Sequence, residues 1–446
     1  MNRTRGVRAA VAANLGLGFA HASRRLGLGS GSVIGGRVTL AVDPGALRRL
    51  AAGRRLALVS GTNGKTTTTR LLSTALASAG DTVTNRGGSN LPAGLVAAFS
   101  ASPPGVGGAL EVDEAWLGHV ADSVRPAVVV LLNLSRDQLD RVSEVRRLGT
   151  AWRELVAGLQ GTHIVANADD PLVAWAAMGA GSGRVTWVAA GASWRLDSAG
   201  CPGCDARVDF AGEHWSCPSC GLSRPKPVAW LEGDSVVLAD SRCFPLSLCL
   251  PGRFNRANAA MAGVAAEAMG VPLEVGLAAM SEVHDVGGRF QVLPLPPEPP
   301  AGGRQSTGSG QSTCSGQARL LLAKNPAGWL ELLDLMETLS PSPAPVVLAI
   351  NARIADGRDP SWLWDVPFER LAGRFAVATG DRCRDLAVRL RYAEVDHVTE
   401  PRLLAALAAG AAAPGALPVL EVMANYTAFQ DIRRDLDRRS RLEVRR

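Results

Sequence analysis

Short, fully apolar runs punctuate the chain, and what lies between them sets the fold class. Leu56–Val59, Val128–Leu132, Ile164–Ala166 and Val346–Ile350 contain no polar residue, as expected of strands covered on both faces. A glycine turn follows the first run, and a helical pattern then spans about residues 66–79. Strands separated by helices in this way predict an α/β fold built on a mainly parallel sheet. The longest uncharged run, Leu403–Leu420, is dominated by Ala and Gly and carries Pro414 and Pro418. It reads as a helix followed by a buried strand rather than a membrane span.

Two stretches break the rhythm. Residues 195–228 hold paired cysteines and several prolines but few long apolar runs, so they read as a small insertion. Residues 294–317, PLPPEPPAGGRQSTGSGQSTCSGQ, cannot bury enough surface to order themselves and form a linker or a disordered loop. A fresh strand, Ala318–Ala323, follows. The expected organisation is an N-terminal helical segment (1–45), a central domain (46–290) carrying the insertion at about 195–228, and a smaller α/β C-terminal domain (291–446). In the first segment Arg3, Arg5 and Arg8 precede a mildly apolar stretch, but Asn14, Gly16, Gly18 and His21 interrupt it. An amphipathic helix fits better than a signal peptide, and the expected location is cytoplasmic, with at most peripheral membrane contact.

Composition narrows the class without naming a partner. At 446 residues, 47% hydrophobic and 20% charged, the chain is long enough for two or three domains and is neither disordered throughout nor fibrous. Eight cysteines are too few for a disulfide scaffold of this length. The net charge of +6 points to an anionic partner: a nucleotide, a nucleic acid or an acidic lipid.

The sharpest chemical signal is the strand–turn–helix segment Val59-Ser60-Gly61-Thr62-Asn63-Gly64-Lys65-Thr66-Thr67. Backbone N–H groups at a helix N-terminus cradle phosphates, and glycine lets the backbone approach the anion. Lys65 would reach the β- and γ-phosphates and Thr66 would ligate Mg²⁺. Val59 stands where the longer form of this loop has its first glycine, so this is the short Gly-x-x-Gly-Lys-Thr version. A Mg-nucleotide site also needs a carboxylate from a neighbouring strand. Ala109-Leu110-Glu111-Val112-Asp113-Glu114 offers Glu111, although three acids in four residues also describe a solvated strand end.

Cys201-Pro-Gly-Cys204 and Cys217-Pro-Ser-Cys220 are two C-x₂-C knuckles twelve residues apart. Four thiolates on two tight turns suit structural zinc; paired redox dithiols are the competing reading. Of the remaining cysteines, Cys249 is expected in an apolar strand as plain core. None of Cys243, Cys249, Cys314 and Cys383 has the turn context of a glutaminase nucleophile.

Taken in order, GTNGKTTT, LEVDEA, LNLSRDQLDR (132–141), ANADDP (166–171) and GRFNRANA (252–259) resemble the ATP-dependent Mur ligase family. The resemblance implies Gly61, Thr62, Asn63, Gly64, Lys65, Thr66 and Thr67 around the phosphates, with Asn255 and Asn258 near the nucleotide. It also implies Thr66 and Glu111 as magnesium ligands, and Arg289 at the junction of the central and C-terminal domains. Gln138 replaces the histidine usual in amino-acid-adding members. Leu322-Ala323-Lys324-Asn325-Pro326-Ala327-Gly328 departs from their C-terminal motif. With Ala355-Asp356-Gly357-Arg358-Asp359 and Ser361-Trp362, these departures match the MurT-type branch, whose zinc-ribbon insertion the cysteine quartet also resembles.

That branch implies a Mur-ligase-like P-loop central domain and a set of cofactors comprising ATP, Mg²⁺ and structural Zn²⁺. It implies amidation of the D-glutamate α-carboxylate of the lipid II stem peptide to D-isoglutamine through an acyl phosphate. The ammonia would come from a glutaminase partner of the GatD type. Asp359 becomes the candidate catalytic acid, ahead of Asp356 and Asp365, although Asp359 before Pro360 is also a sound helix cap. Two alternatives stay open: a ligase that adds a whole amino acid, and a non-enzymatic zinc-ribbon module that binds nucleic acid. The basic residues are dispersed rather than set in a stripe with aromatics, against the latter.

Overall fold

The computed structural model describes residues 2–26, 32–85, 88–136, 142–284, 290–295, 316–340 and 343–443. The chain forms two compact units: Met1–Arg136 with Arg141–Gly287, and Gly288–Arg446 with Asp137–Asp140.

In the first unit, helices α1 (Asn2–Arg25), α2 (Ser32–Val42) and α3 (Ala46–Ala51) lead into β1 (Leu56–Ser60) and α4 (Lys65–Ala77). There follow α5 (Pro92–Ser100), β2 (Gly108–Glu111), α6 (Leu117–Val124), β3 (Val128–Leu131), α7 (Val142–Gly158), β4 (His163–Asn167) and α8 (Pro171–Ala177). The unit closes with β5 (Val185–Ala189), the small hairpin β6 (Asp209–Ala211) and β7 (His214–Ser216), then β8 (Ala229–Glu232), β9 (Ser235–Leu238), β10 (Cys243–Pro245), α9 (Arg253–Ala268) and α10 (Leu273–Met280). Eight strands make one sheet in the order β10-β9-β8-β5-β4-β3-β1-β2.

The apolar strands are central and parallel, as expected, and the period-two rule explains why they lack polar residues. In β1, Leu56 and Leu58 enter one core with Phe99 and Trp152, while Ala57 and Val59 enter the opposite core with Leu71, Leu72 and Met261. On the antiparallel edge β8-β9-β10, β9 alternates buried and part-exposed positions instead. Cys249 overturns its sequence reading. It lies beyond β10 in no strand, is exposed, and its thiol donates to the Ser281 carbonyl at 3.3 Å.

The second unit contains β11 (Phe290–Pro294), β12 (Gln317–Leu322), α11 (Pro326–Leu339), β13 (Val346–Ala349), β14 (Ala376–Thr379), α12 (Cys383–Tyr392), β15 (His397–Thr399), α13 (Leu403–Ala411), β16 (Val419–Ala424) and α14 (Tyr426–Glu443). Its sheet order is β11-β12-β16-β13-β14-β15. All neighbours are parallel except β11 and β12, where Pro294 faces Gln317 in an antiparallel register. The low-complexity segment therefore closes an antiparallel pair within one unit and is not a connection between units. Residues 296–315 themselves lie outside the described residues. The Leu403–Leu420 run resolves into α13 and the start of β16, as its prolines predict.

Candidate functional site

The phosphate loop forms where the strand order reverses around β1, with β3 on one side and β2 on the other. Ligands in open parallel sheets bind at such a point, beyond the strand C-termini. Gly61 and Gly64 adopt φ of 151° and 82°. A Cβ on Gly64 would lie 2.7 Å from Asn258 Oδ1, so glycine is needed there both for the left-handed backbone and for space. That contact also places Asn258, on the first turns of α9, directly against the loop. Asn255, three residues earlier on the helix, is buried and donates to the Pro251 carbonyl at 2.7 Å.

Thr66 and Glu111 meet as the sequence requires. The Thr66 hydroxyl donates to Glu111 Oε2 at 2.9 Å, and Asn90 Nδ2 reaches Glu111 Oε1 at 3.4 Å. Asn85 pins the Glu111 backbone in both directions, accepting from its N–H and donating to its carbonyl at 2.8 Å each. A hydroxyl and a carboxylate oxygen on converging backbones are the hard-oxygen donors that Mg²⁺ takes, leaving its other positions to water and phosphate. Lys65 is buried; its ammonium donates to the Gly61 and Thr62 carbonyls and pairs with Glu114 at 2.8 Å.

Glu114, paired with Lys65, is a residue that sequence reading passed over, because of the three acids at the strand end it singled out Glu111 alone. Asn133 and Ser135 were missed as well. Asn133 brackets Asn63, accepting from its N–H at 2.8 Å and donating to its carbonyl at 3.0 Å, while Ser135 N–H donates to Thr62 Oγ1. Their signal was their place at the end of an apolar strand, inside the LNLSRDQLDR motif. Thr67 is buried on the first turn of α4. Arg289, Asp137, Gln138 and Asp140 lie outside the described residues.

The Asn167–Pro171 turn is a brace for this site. Asp170 caps α8, accepting from Leu172 and Val173 N–H, and reaches across to Leu134 N–H at 2.9 Å. Burial pushes its carboxyl up to about 6 although those three N–H groups pull the other way. Asp169 accepts from Gly191 N–H at 2.6 Å and pairs with Arg224 at 2.6 Å. Arg224 leads out of the cysteine insertion, so the turn and the insertion are tied.

In that insertion two knuckles repeat one geometry. Cys201 N–H donates to Ala206, Cys217 N–H donates to Leu222, and a left-handed residue, Asp205 or Gly221, follows the second cysteine of each. The four sulfurs all lie within 4.8 Å of one another, with Cys201–Cys220 at 3.6 Å and Cys204–Cys217 at 3.5 Å. Four sulfurs at about 2.3 Å from one tetrahedral ion would stand about 3.8 Å apart, so the quartet fits zinc. One thiolate suppresses its neighbours. The Ala206 N–H and Cys217 draw Cys204 down to about 6, while at Cys220 the Leu222 N–H is outweighed by Cys204 and Cys201, which push it up to about 12. A dication relieves that repulsion. Buried Trp215 plugs the ribbon onto the core, donating its indole N–H to the Ala168 carbonyl at 3.0 Å.

The second unit has its own cluster beyond β13 and β16. Asn351 and Asn425 exchange bonds: Asn351 N–H donates to Asn425 Oδ1 at 3.0 Å, and Asn425 Nδ2 donates to the Asn351 carbonyl at 2.6 Å. Asp356 is buried and accepts from Thr427 N–H at 2.9 Å, from the Thr427 hydroxyl and from Arg353 N–H. Asp359 differs. It is exposed, and the Ser361 N–H and hydroxyl, with the Arg382 charge, hold its carboxyl below the usual range. The turn it makes is an Asx turn into a short 3₁₀ segment, Ser361–Asp365, and not the N-cap of an α-helix. Half-buried Asp365 ends that segment. Lys324 sits 5.8 Å above the Tyr426 ring.

Comparison with known proteins follows the same division. The profile of the Mur ligase middle domain matches residues 59–194, and that of the MurT ligase C-terminal domain matches residues 322–429. The lipid II isoglutaminyl synthase (glutamine-hydrolyzing) subunit MurT of Staphylococcus aureus (strain N315) is 28% identical over 84% of this chain and 86% of its own. The protein of the same name from Streptococcus pneumoniae (strain ATCC BAA-255 / R6) is 26% identical over 82% and 83%. Among solved structures, a pseudomurein peptide ligase type C from Methanothermus fervidus shares the fold with a TM-score of 0.61 at 18% identity, covering 86% of this chain and 79% of that one. MurF from Acinetobacter baumannii does so with 0.61 at 15%, covering 90% and 80%.

Proposed function

We propose, on the premise that this chain belongs to the Mur ligase family and carries a MurT-type C-terminal domain, that it is the synthase subunit of a lipid II isoglutaminyl synthase. It is a carbon–nitrogen ligase of cell-wall synthesis, read as a cytoplasmic protein, and it uses ATP. Among the described residues no helix is long and apolar enough to cross a membrane. The observation that carries the reading is the convergence of Lys65, Thr66 and Glu111 at one loop whose glycines let Asn133 and Asn258 pack against its backbone.

The D-glutamate α-carboxylate oxygen attacks the γ-phosphorus of ATP, the bond to the β-phosphate oxygen breaks, and ADP leaves. Ammonia then attacks the acyl carbon; inorganic phosphate departs and one proton is lost, giving the D-isoglutamine amide. Phosphoryl transfer needs positioning and charge neutralisation more than covalent help from the protein. Loop N–H groups and α4 hold the phosphates, and Lys65 exchanges Glu114 and its carbonyl partners for phosphate oxygens. Mg²⁺, held by Thr66 and Glu111, would neutralise the charge shared between the phosphates. Asn258 and Asn255 on α9 face the nucleotide, and Arg289 completes the expected set.

Asp359 is the acid we assign to the later step in preference to Asp356, because Asp356 is buried and spends its carboxylate on Thr427 and Arg353. An exposed, ionised carboxylate can instead orient ammonia as it arrives. The ammonia is assigned to a GatD-type glutaminase subunit, and the cysteine quartet to structural zinc. The test is amidation of lipid II by the purified chain with and without a co-purifying glutaminase. The chain alone should use ammonium but hardly use glutamine, and Lys65→Ala should abolish both activities. Product mass separates this reaction, which exchanges a hydroxyl for an amine, from addition of a whole amino acid. Full glutamine-dependent activity in the isolated chain would overturn the two-subunit assignment.

A further inference from the structure

The chain's charge excess is not spread along it. Residues 1–42 contain six arginines (Arg3, Arg5, Arg8, Arg24, Arg25 and Arg37) and no Asp or Glu, the first acid being Asp43. The whole chain has 47 basic and 41 acidic residues, so removing those six leaves 41 of each: the net +6 belongs entirely to α1, α2 and the residues joining them.

The same segment exposes an apolar stripe. Val11, Leu15 and Phe19 on α1 are 51%, 45% and 54% exposed, and Leu26 just beyond its end is 73% exposed. Their spacing keeps them on one side of a helix. The other side is fixed: Ala9, Ala12, Ala13 and Ala20 are buried, and Gly16 crosses Gly35 of α2 so closely that a Cβ on Gly16 would stand 2.5 Å from the Gly35 carbonyl oxygen. The stripe therefore cannot roll inward. Exposed Arg24 and Arg25 close its C-terminal end, and exposed Arg37 with half-covered Val33 and Ile34 extends the same character onto α2.

We propose that α1 is a peripheral docking element that lays this stripe into the surface of an anionic lipid bilayer. A helix held against the protein on one side and presenting an apolar stripe with basic flanks on the other can lie in the membrane interface without crossing it. No described helix is apolar enough to span. Charge selects the occupant. A second copy of the same segment would bring six more arginines and no acid to meet them, whereas anionic headgroups supply the missing counter-charge. Docking rests on α1 alone and not on the amidation reading, although it would hold an enzyme of a lipid-linked substrate where that substrate lies.

The test is flotation of the full chain with vesicles of phosphatidylcholine alone or with about a third phosphatidylglycerol, at low and high salt. Binding should require the anionic lipid and weaken with salt. Each arginine near the surface is worth about a fivefold change in partitioning, so Arg24→Glu with Arg25→Glu should cost more than about 25-fold. Leu15→Glu with Phe19→Glu should lose binding as severely. Both variants should keep the parent's thermal unfolding, nucleotide binding and turnover of a lipid-free form of the substrate. Equal flotation by parent and variants, or none by the parent, overturns the proposal. So does a dimer in light scattering that Leu15→Glu with Phe19→Glu breaks while the parent ignores vesicles. Flotation in a chain that never amidates would refute the proposed function and leave this inference standing.

Discussion

Replacing Gly64 by alanine tests whether the phosphate loop is shaped by backbone conformation or by its neighbour on α9. At φ 82° an alanine pays no hydrogen-bond penalty, since Thr68 N–H still reaches the residue 64 carbonyl, but it occupies a left-handed conformation. That costs about 1–2 kcal/mol. The new Cβ would also lie 2.7 Å from Asn258 Oδ1, closer than any real carbon contact, so Asn258 must turn. Moving a side chain off its rotamer costs about 0.5–1.5 kcal/mol. The sum is roughly 2–3 kcal/mol, or about 4–10 °C in the unfolding of a unit this large. The assay is a double-mutant cycle with Asn258→Ala, read both as thermal unfolding and as calorimetric binding of a non-hydrolysable ATP analogue. Asn258→Ala should remove the steric share, so Gly64→Ala should cost about 1 kcal/mol less in that background. Nucleotide affinity should fall at least tenfold in each single variant and by less than the product in the double one. Strictly additive effects on both readouts would refute the argument that the loop and α9 share one space.

Four further outcomes follow from the same geometry. Lys65→Ala should lower ATP turnover by at least about a hundredfold, as expected of a charge that acts on the transferring phosphate; a turnover within tenfold of the parent would be incompatible with its role. Cys201→Ser should abolish stoichiometric zinc in elemental analysis and shift Trp215 emission to the red, read against Trp215→Phe as the blank. Asp356→Asn should destabilise the second unit by about 1–3 kcal/mol because its buried donors lose a charged acceptor, while exposed Asp359→Asn should leave the melting temperature alone and lower turnover; the reverse pattern would exchange their roles. Burial lifts the Glu421 carboxyl from 4.5 to about 7 even though Arg319 lies 2.6 Å away and Arg374 also pulls it down. Its folded pKa is thus above its unfolded one, so its contribution is fully present below about 4.5 and lost as pH rises through about 7. The stability of parent minus Glu421→Gln should fall across that window, and a flat or rising difference would contradict the assignment.

Much of the fold was legible because the chain writes buried parallel strands in an unmistakable way. Val128–Leu131 and Val346–Ala349 are covered on both faces, and nothing polar could sit there. The phosphate loop and cysteine knuckles were legible for a related reason: each is local, with its chemistry set by residues within a few positions of one another. What escaped was decided across space. Cys249 has apolar neighbours in sequence, yet the chain has already left β10, so no strand pairs with it. Glu114 gained its role only from the position of Lys65, and Asn133 only from the return of the loop towards β3. Asp356 and Asp359 are three residues apart in one loop, and their sequence context could not show that Thr427, from the far end of the chain, occupies the first and leaves the second open.

The bond from Trp215 to Ala168 and the pair between Arg224 and Asp169 have a consequence for how this protein could be edited. By sequence, residues 195–228 look removable, a cassette set between two strands of one sheet. Energetically the cassette has no such edges. Excising it would leave the Asp169 carboxylate without its guanidinium in a largely dry turn, and the Ala168 carbonyl without a donor, on the same segment whose next residue anchors Leu134. The sheet depends on the insertion, and a minimal version of this enzyme would have to redesign the turn before it could discard the cysteine quartet.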